Sequence, residues 1–178
     1  IAHTEGTGSG TSLSENKSWV QKVIFGEMPA EEQPWNTSQF EFDGTTIKGF
    51  NEAGLKKVAA GETEVPLPAT NKEGEAITAI AASAFDTKGL TKVTIPETVI
   101  SIGNMAFRGN AITEITIPDS VTSIGNTAFA YCWGLKGITI PDSVKSIGSL
   151  AFYDCNDLTN ITIPNSVIVI GNSAKVFD

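Results

Sequence analysis

The chain is poor in the residues that most catalytic and metal chemistry needs: one histidine, two cysteines and two methionines in 178 residues. The single histidine, His3, lies in "IAHTEGTGSGTS", a small polar stretch that cannot hold a general base in place. Two thiols with no histidine nearby make a poor metal set, so no metal and no other cofactor is expected. The glycines of the same stretch, Gly6, Gly8 and Gly10, follow no strand pattern and precede no Lys-Ser/Thr pair, so they are not a phosphate loop. Basic residues are also scarce. Twelve Lys and Arg stand against 20 Asp and Glu, a net charge of −8, which argues against a nucleic-acid partner. No apolar run approaches the roughly 20 residues of a membrane span, and no charged-then-apolar leader is present. The carboxylates at Glu31-Glu32 and at Glu62 and Glu64 fall in loop-like, proline-bearing surroundings that suit solvated charge. Catalysis is therefore not expected.

Repetition is what the chain has in abundance. Ile95-Pro96, Ile117-Pro118, Ile140-Pro141 and Ile163-Pro164 recur at spacings of 22, 23 and 23, and Ala84-Phe85, Ala106-Phe107, Ala128-Phe129 and Ala151-Phe152 keep the same beat. Between these markers stand Val99/Ile102, Val121/Ile124, Val144/Ile147 and Val167/Ile170, followed by Gly103, Gly125, Gly148 and Gly171. Four coils are regular and a degenerate one leads them from about Val65.

Each coil has a physical reading. Leu135, Ile138 and Ile140, like Leu90-Val93-Ile95, Ile112-Ile115-Ile117 and Leu158-Ile161-Ile163, end in the alternation of a short strand with its apolar side inward. Proline lacks an amide donor, so it closes the strand and turns the chain. Val121-x-x-Ile124-Gly125 gives a second extended piece, left through glycine. "NTAF" and its counterparts are too short for a free helix and read as single helical turns with a phenylalanine plugging the core. One such coil cannot bury its apolar side alone and must stack on its neighbours.

The pattern L-x-x-I-x-I-P-x-S-V-x-x-I-G-x-x-A-F-x-x-C, running from roughly Val65 to Ile170, resembles the BspA-like leucine-rich repeat of bacterial cell-surface proteins. "FEFDGTTIKGF", a hairpin around Asp43-Gly44, and "VPLPATNKEGEAITAIAASAF", a first coil with an inserted loop, are similar to the lead-in such proteins carry. The resemblance implies a right-handed solenoid, mostly β in an α+β repeat, with short strands, single helical turns and an N-terminal capping region. It also implies an extracellular or bacterial cell-surface location and a role in adhesion or partner binding without catalysis. The expected partner is an extracellular protein or glycan, host matrix among them, and a monomer is expected. An accessory targeting or spacer domain of a larger secreted enzyme is the alternative.

The organisation expected is a flexible tail over 1–13, a cap with a short helix and a hairpin over 14–64, and the solenoid over 65–178. In "SENKSWVQKVIF", residues 14–25, Ser14 can cap a helix with Trp19, Val20, Val23 and Ile24 on one side, covering the first coil or binding a partner. After Ala174 the expected Phe is replaced by Lys175, with Phe177 two places late, so the pattern is lost there at a natural end or a cut. The absence of an initial Met suggests a processed or trimmed piece of a longer chain.

Cys132 and Cys155 lie three residues after their coil's Phe, in the place that Asn110 takes one coil earlier, so the three should form one internal ladder. A coil separation of about 4.8 Å would permit a disulfide. Equivalent side chains point in parallel, which favours two buried free thiols.

Two surfaces are candidates for binding. Outward strand positions are Lys92 and Thr94, Glu114 and Thr116, Gly137 and Thr139, and Asn160 and Thr162. They form a threonine ladder on a nearly uncharged face that also suits strands for plain structural reasons. Four strands roughly 20 Å long would offer on the order of 300–400 Å², less than the ~800 Å² per partner of a standard interface. The second surface is aromatic: Tyr131, Trp133 and Tyr153 follow the Phe plugs of successive coils, either as binding anchors or as turn packing.

Overall fold

The computed structural model describes residues 34–171. The expected tail over 1–13, the helix over 14–25 and the positions around Lys175 and Phe177 lie outside the described residues.

A short 3-10 turn, Thr37–Gln39, opens the described chain. The Asn36 side chain accepts from Ser38 N, while Gln39 reaches back to accept from Asn36 N, at 2.8 Å each. The hairpin follows as β1 (Phe40–Asp43) and β2 (Thr46–Phe50), antiparallel. Gly44 turns between them at φ +54°, where a side chain would be strained.

The sequence reading did not foresee the helix that comes next, α1 (Glu52–Ala59). Its signal is short: the Asn51 side chain accepts from Gly54 N at 3.1 Å, and a single Lys56 pairs back to Glu52. What fixes it is tertiary. Lys57 is almost fully buried, with its ammonium 2.6 Å from Glu62 and 5.3 Å from the centre of the Trp35 ring.

The coils then stack in three walls. The strand wall consists of β3 (Glu64–Pro66), β5 (Lys92–Thr94), β7 (Glu114–Thr116), β9 (Gly137–Thr139) and β11 (Asn160–Thr162). The second wall consists of the two-residue strands β4 (Ala79–Ile80), β6 (Ser101–Ile102), β8 (Ser123–Ile124), β10 (Ser146–Ile147) and β12 (Val169–Ile170). This second wall is the continuous one. It runs β1-β2-β4-β6-β8-β10-β12, parallel from β2 onward, so the hairpin is hydrogen-bonded to the first coil through Thr46↔Ala79 and Ile47↔Ile80. The inserted loop of the first coil is tied to the hairpin as well: Asn71 accepts from Glu73 N and Glu75 N and donates to Gly44 O at 3.1 Å.

The strand wall, expected as one ladder, is instead two sheets, β3-β5-β7 and β9-β11, and each coil contributes three residues, about 10 Å of strand, rather than 20 Å. The break falls where the coil grows. From Asn110 to Ile112 is two steps, but from Cys132 to Leu135 is three, and there Lys136 N meets Thr113 O at 3.5 Å, against 3.2 and 3.1 Å at the same place in the coils on either side, while β7 and β9 form no ladder.

The third wall, read from sequence as helical turns, is a bracketed turn. Bonds within each segment run i→i−3, as in Ala130 N to Thr127 O at 3.2 Å and Cys132 N to Phe129 O at 3.3 Å. Alternate amides instead leave the coil: Phe85 N donates to Ala106 O, Phe107 N to Ala128 O and Phe129 N to Ala151 O, all at 2.8 Å. Those donors are unavailable for an α-helical turn, and the residues that aim them, among them Met105, Thr127, Tyr131 and Leu150, sit at φ +50 to +60°. Every one of these bonds has its donor in the earlier coil and its acceptor in the later one.

Inside the walls, Phe85, Phe107, Phe129 and Phe152 form a spine with ring centres 5.4–5.6 Å apart and planes within 11° of parallel. At its N-terminal end Phe50 meets Phe85 edge-on at 4.9 Å, backed by Phe40 and Trp35. Ile102, Ile124 and Ile147 are at most 2% exposed. Gly125 permits the close stacking: a Cβ there would lie 2.6 Å from Asn104 N and from the Gly103 carbonyl carbon. Glycine is needed here for space rather than for its φ.

Candidate functional site

The outward strand positions stand as one surface over the broken wall. Lys92 is the register partner of Glu114, Thr94 of Thr116, Gly137 of Asn160 and Thr139 of Thr162. All four threonines are exposed, and the inward residues between them, Val93, Ile115 and Ile138, are buried. Two grooves lie on this face. One of about 480 Å³ straddles the break, with Thr116 and Asp119 on one side and Gly137, Thr139, Asn160 and Thr162 on the other. The second, about 260 Å³, lies over β5 and β7, between Lys92, Thr94 and Glu97 and Glu114 and Thr116.

The sequence reading missed two of these residues, Glu97 and Asp119. Each follows the strand-ending proline, as Asp142 does in the next coil, so the signal was an acidic residue at one repeat position. Their presence corrects the picture of a nearly uncharged face. Threonine hydroxyls both donate and accept, so the grooves offer hydrogen bonds of either sense beside carboxylates.

The aromatic candidates divide. Tyr131 and Tyr153 pair edge-to-face with ring centres 5.5 Å apart, joined also by Tyr131 N to Tyr153 O at 2.8 Å. Trp133 is 51% exposed and enters no ring pair among the described residues. Beside Tyr131 lies a contact that was not foreseen. Arg108, the only arginine of the sequence, holds Asp86 with both ends of its guanidinium, at 2.9 and 2.7 Å. The hydrogen bond to Asp86, then the charge of Asp86, raises the Arg108 pKa. The pair is 22 residues apart, one coil, which is the spacing that could have revealed it.

The Asn-Cys ladder is present. Asn110, fully buried, accepts from Lys88 N and Leu90 N and donates to Phe85 O and Phe107 O, at 2.8–3.1 Å. Cys132 and Cys155 are buried free thiols that donate to Phe107 O at 3.4 Å and Phe129 O at 3.1 Å. Burial pushes the Cys132 thiol from 9.0 up to about 12 and that of Cys155 up to about 11. Both stay protonated at neutral pH and have no nucleophilic character. Because the folded values are raised, the unfolded chain loses its thiol protons first. The contribution to stability is therefore fully present below pH ~9 and is lost as pH rises toward the folded values. Ellman's reagent at pH 8 is expected to read no thiol in the native protein and two after addition of denaturant; prompt reaction of either thiol in the native state would refute the packing.

Among the described residues no cluster of His, Cys, Asp and Glu could hold a metal, and no helix is long and apolar enough to cross a membrane. Glu62 is engaged by Lys57, and Glu64 lies on β3. His3 and Glu31-Glu32 lie outside the described residues.

Comparison with known proteins fits this geometry. Residues 78–176 match, in six copies, the model of the BspA type leucine rich repeat region. A leucine-rich repeat protein of T. pallidum is 29% identical with a TM-score of 0.69, over 78% of this chain and 64% of the other. One from Bacteroides ovatus is 33% identical with a TM-score of 0.64, over 79% of this chain and 37% of the other. One from Bacteroides capillosus is 31% identical with a TM-score of 0.51, over 74% and 89%. The chain thus spans less than two thirds of the first two structures that it resembles. Among curated proteins nothing matches.

Proposed function

Since the chain belongs to the BspA-type leucine-rich repeat family, we propose that it is a non-catalytic interaction module of the bacterial cell surface, binding an extracellular protein or glycan. The observation that carries this reading is the uncovered strand face. Its threonine, asparagine and carboxylate side chains line two grooves, and no part of the described chain lies over them. The contact residues assigned are Lys92, Thr94, Glu114, Thr116, Thr139 and Thr162 on the strands, with Tyr131, Trp133 and Tyr153 as a flanking aromatic patch. Strands of three residues give a small footprint, so the affinity of this piece is weak, in keeping with interfaces well under the standard size.

A capture screen on immobilised matrix proteins and a glycan array tests the reading, with Thr116→Lys/Thr139→Lys and Trp133→Ala beside the parent. A bulky pair in the large groove should abolish capture. Loss of an exposed aromatic anchor is expected to weaken it by on the order of 10- to 30-fold, with Tm unchanged because Trp133 is half in solvent. Equal capture by all three proteins, or none by the parent, would refute it.

A further inference from the structure

We infer that the strand face takes an extended, basic segment of a partner protein, lying across the coils along the two grooves. The inference rests on the strand face being the binding surface, and goes on to name its occupant.

The face is a sheet surface with no described residue lying over it, and its charge is one-sided. The grooves are lined by Glu97, Glu114 and Asp119 against a single cation, Lys92. Asp142 extends the row one coil further, at the same repeat position as Glu97 and Asp119. Coils stack about 4.8 Å apart, so carboxylates at equivalent positions are close neighbours, and like charges so placed repel. Elsewhere the fold compensates such charges. Asp86 has Arg108, Glu62 has Lys57 and Glu52 has Lys56, and these three are the ion pairs among the described residues. On the groove side Glu97, Glu114, Asp119 and Asp142 enter no ion pair among the described residues, with Lys92 opposite Glu114 in register and the Lys145 ammonium on the main-chain oxygen of Asp142 at 3.3 Å.

The remaining lining selects the form of the ligand. Thr94, Thr116, Thr139 and Thr162 can meet both the amides and the carbonyls of an extended backbone. In such a backbone alternate side chains point the same way about 6.8 Å apart, within reach of carboxylates one coil apart for the long stems of Lys or Arg. Six residues span about 20 Å, enough to cross four coils. No aromatic ring lines either groove, so the stacking surface that would favour a sugar is absent from the lining.

The test is fluorescence anisotropy of the full 178-residue chain with a labelled Lys-Thr-Lys-Thr-Lys-Thr peptide, its Glu-Thr counterpart and a neutral Ser-Thr one. Two triple variants are compared. Glu97→Gln/Glu114→Gln/Asp119→Asn empties the grooves of charge, and Glu41→Gln/Glu73→Gln/Asp157→Asn removes the same charge from exposed positions elsewhere. The basic peptide alone should bind, and 0.3 M salt should remove most of the binding. The groove triple should weaken it by about tenfold, the effect of three exposed pairs together, and the distant triple by less than twofold. The groove triple should hold Tm, since it removes repulsion between the acidic positions together with the exposed cross-strand pair of Lys92 and Glu114. Equal loss in the two triples would reduce the effect to net charge and overturn the inference, as would equal binding of the three peptides. Absence of peptide binding beside positive capture on the glycan array would overturn this inference and leave the broader function standing.

Discussion

Phe129→Ala is expected to destabilise the fold by about 3–5 kcal/mol, the usual range for a large aromatic removed from a core. Phe129 is fully buried, with the Phe107 ring 5.4 Å on one side and the Phe152 ring 5.5 Å on the other. The neighbouring coils cannot collapse into the space. Their separation is held by backbone bonds at Phe107 N to Ala128 O and Phe129 N to Ala151 O, both 2.8 Å. In a stacked array stability is a sum over coils and the interfaces between them, so one residue here weakens two interfaces. Urea unfolding followed by circular dichroism would show the loss, together with a broader transition as the two sides of the gap melt separately. A loss under 1.5 kcal/mol would mean that the spine repacks and that its regular stacking is not a source of stability.

Asn110→Ala is expected to cost about 3 kcal/mol. The amide satisfies Lys88 N, Leu90 N, Phe85 O and Phe107 O, and buried groups left unpaired cost roughly 1–3 kcal/mol each, less than additively. Asn110→Cys should cost less than Asn110→Ala. A thiol at this position donates to the preceding coil's carbonyl, as Cys132 does to Phe107 O and Cys155 to Phe129 O, though its sulfur is only a weak acceptor for the two amides. Denaturation midpoints in the order parent, Asn110→Cys, Asn110→Ala would support this account. Equal midpoints for the two variants would show that the carbonyl contact of the thiol contributes nothing.

Positions that each coil needs were legible in the sequence, because stacking demands the same residue in the same place each time. The apolar triplets, the proline corners, the Phe spine, the free thiols and the threonine ladder all follow from that demand. Features that depend on how one coil meets the next were harder to read. The change from 22 to 23 residues is visible at Trp133-Gly134, but only the stacked coils reveal that it divides the strand wall while the second wall stays whole. The left-handed residues were hidden for a similar reason. Thr127 and Leu150 have no preference for φ near +50 to +60° and take it because inter-coil bonds hold them there. Glu97 and Asp119 were overlooked because the strand ends at the preceding proline, whereas the groove does not. The charged contacts Asp86–Arg108 and Lys57–Glu62 needed tertiary proximity.

The turn wall has one further property. Each peptide group carries a dipole of about 3.5 D, and here every main-chain bond between coils runs from an amide of the earlier coil to a carbonyl of the later one, from Ser83 N to Asn104 O through Tyr131 N to Tyr153 O. Added along the array, these dipoles give that wall a polarity, much as aligned peptides give a helix its own. Coils are thus not interchangeable end for end. A further coil can join only head to tail, and two arrays brought together by the same end would face like partial charges along this wall. The wall that looks least regular in its secondary structure therefore sets the direction in which the repeat can be extended.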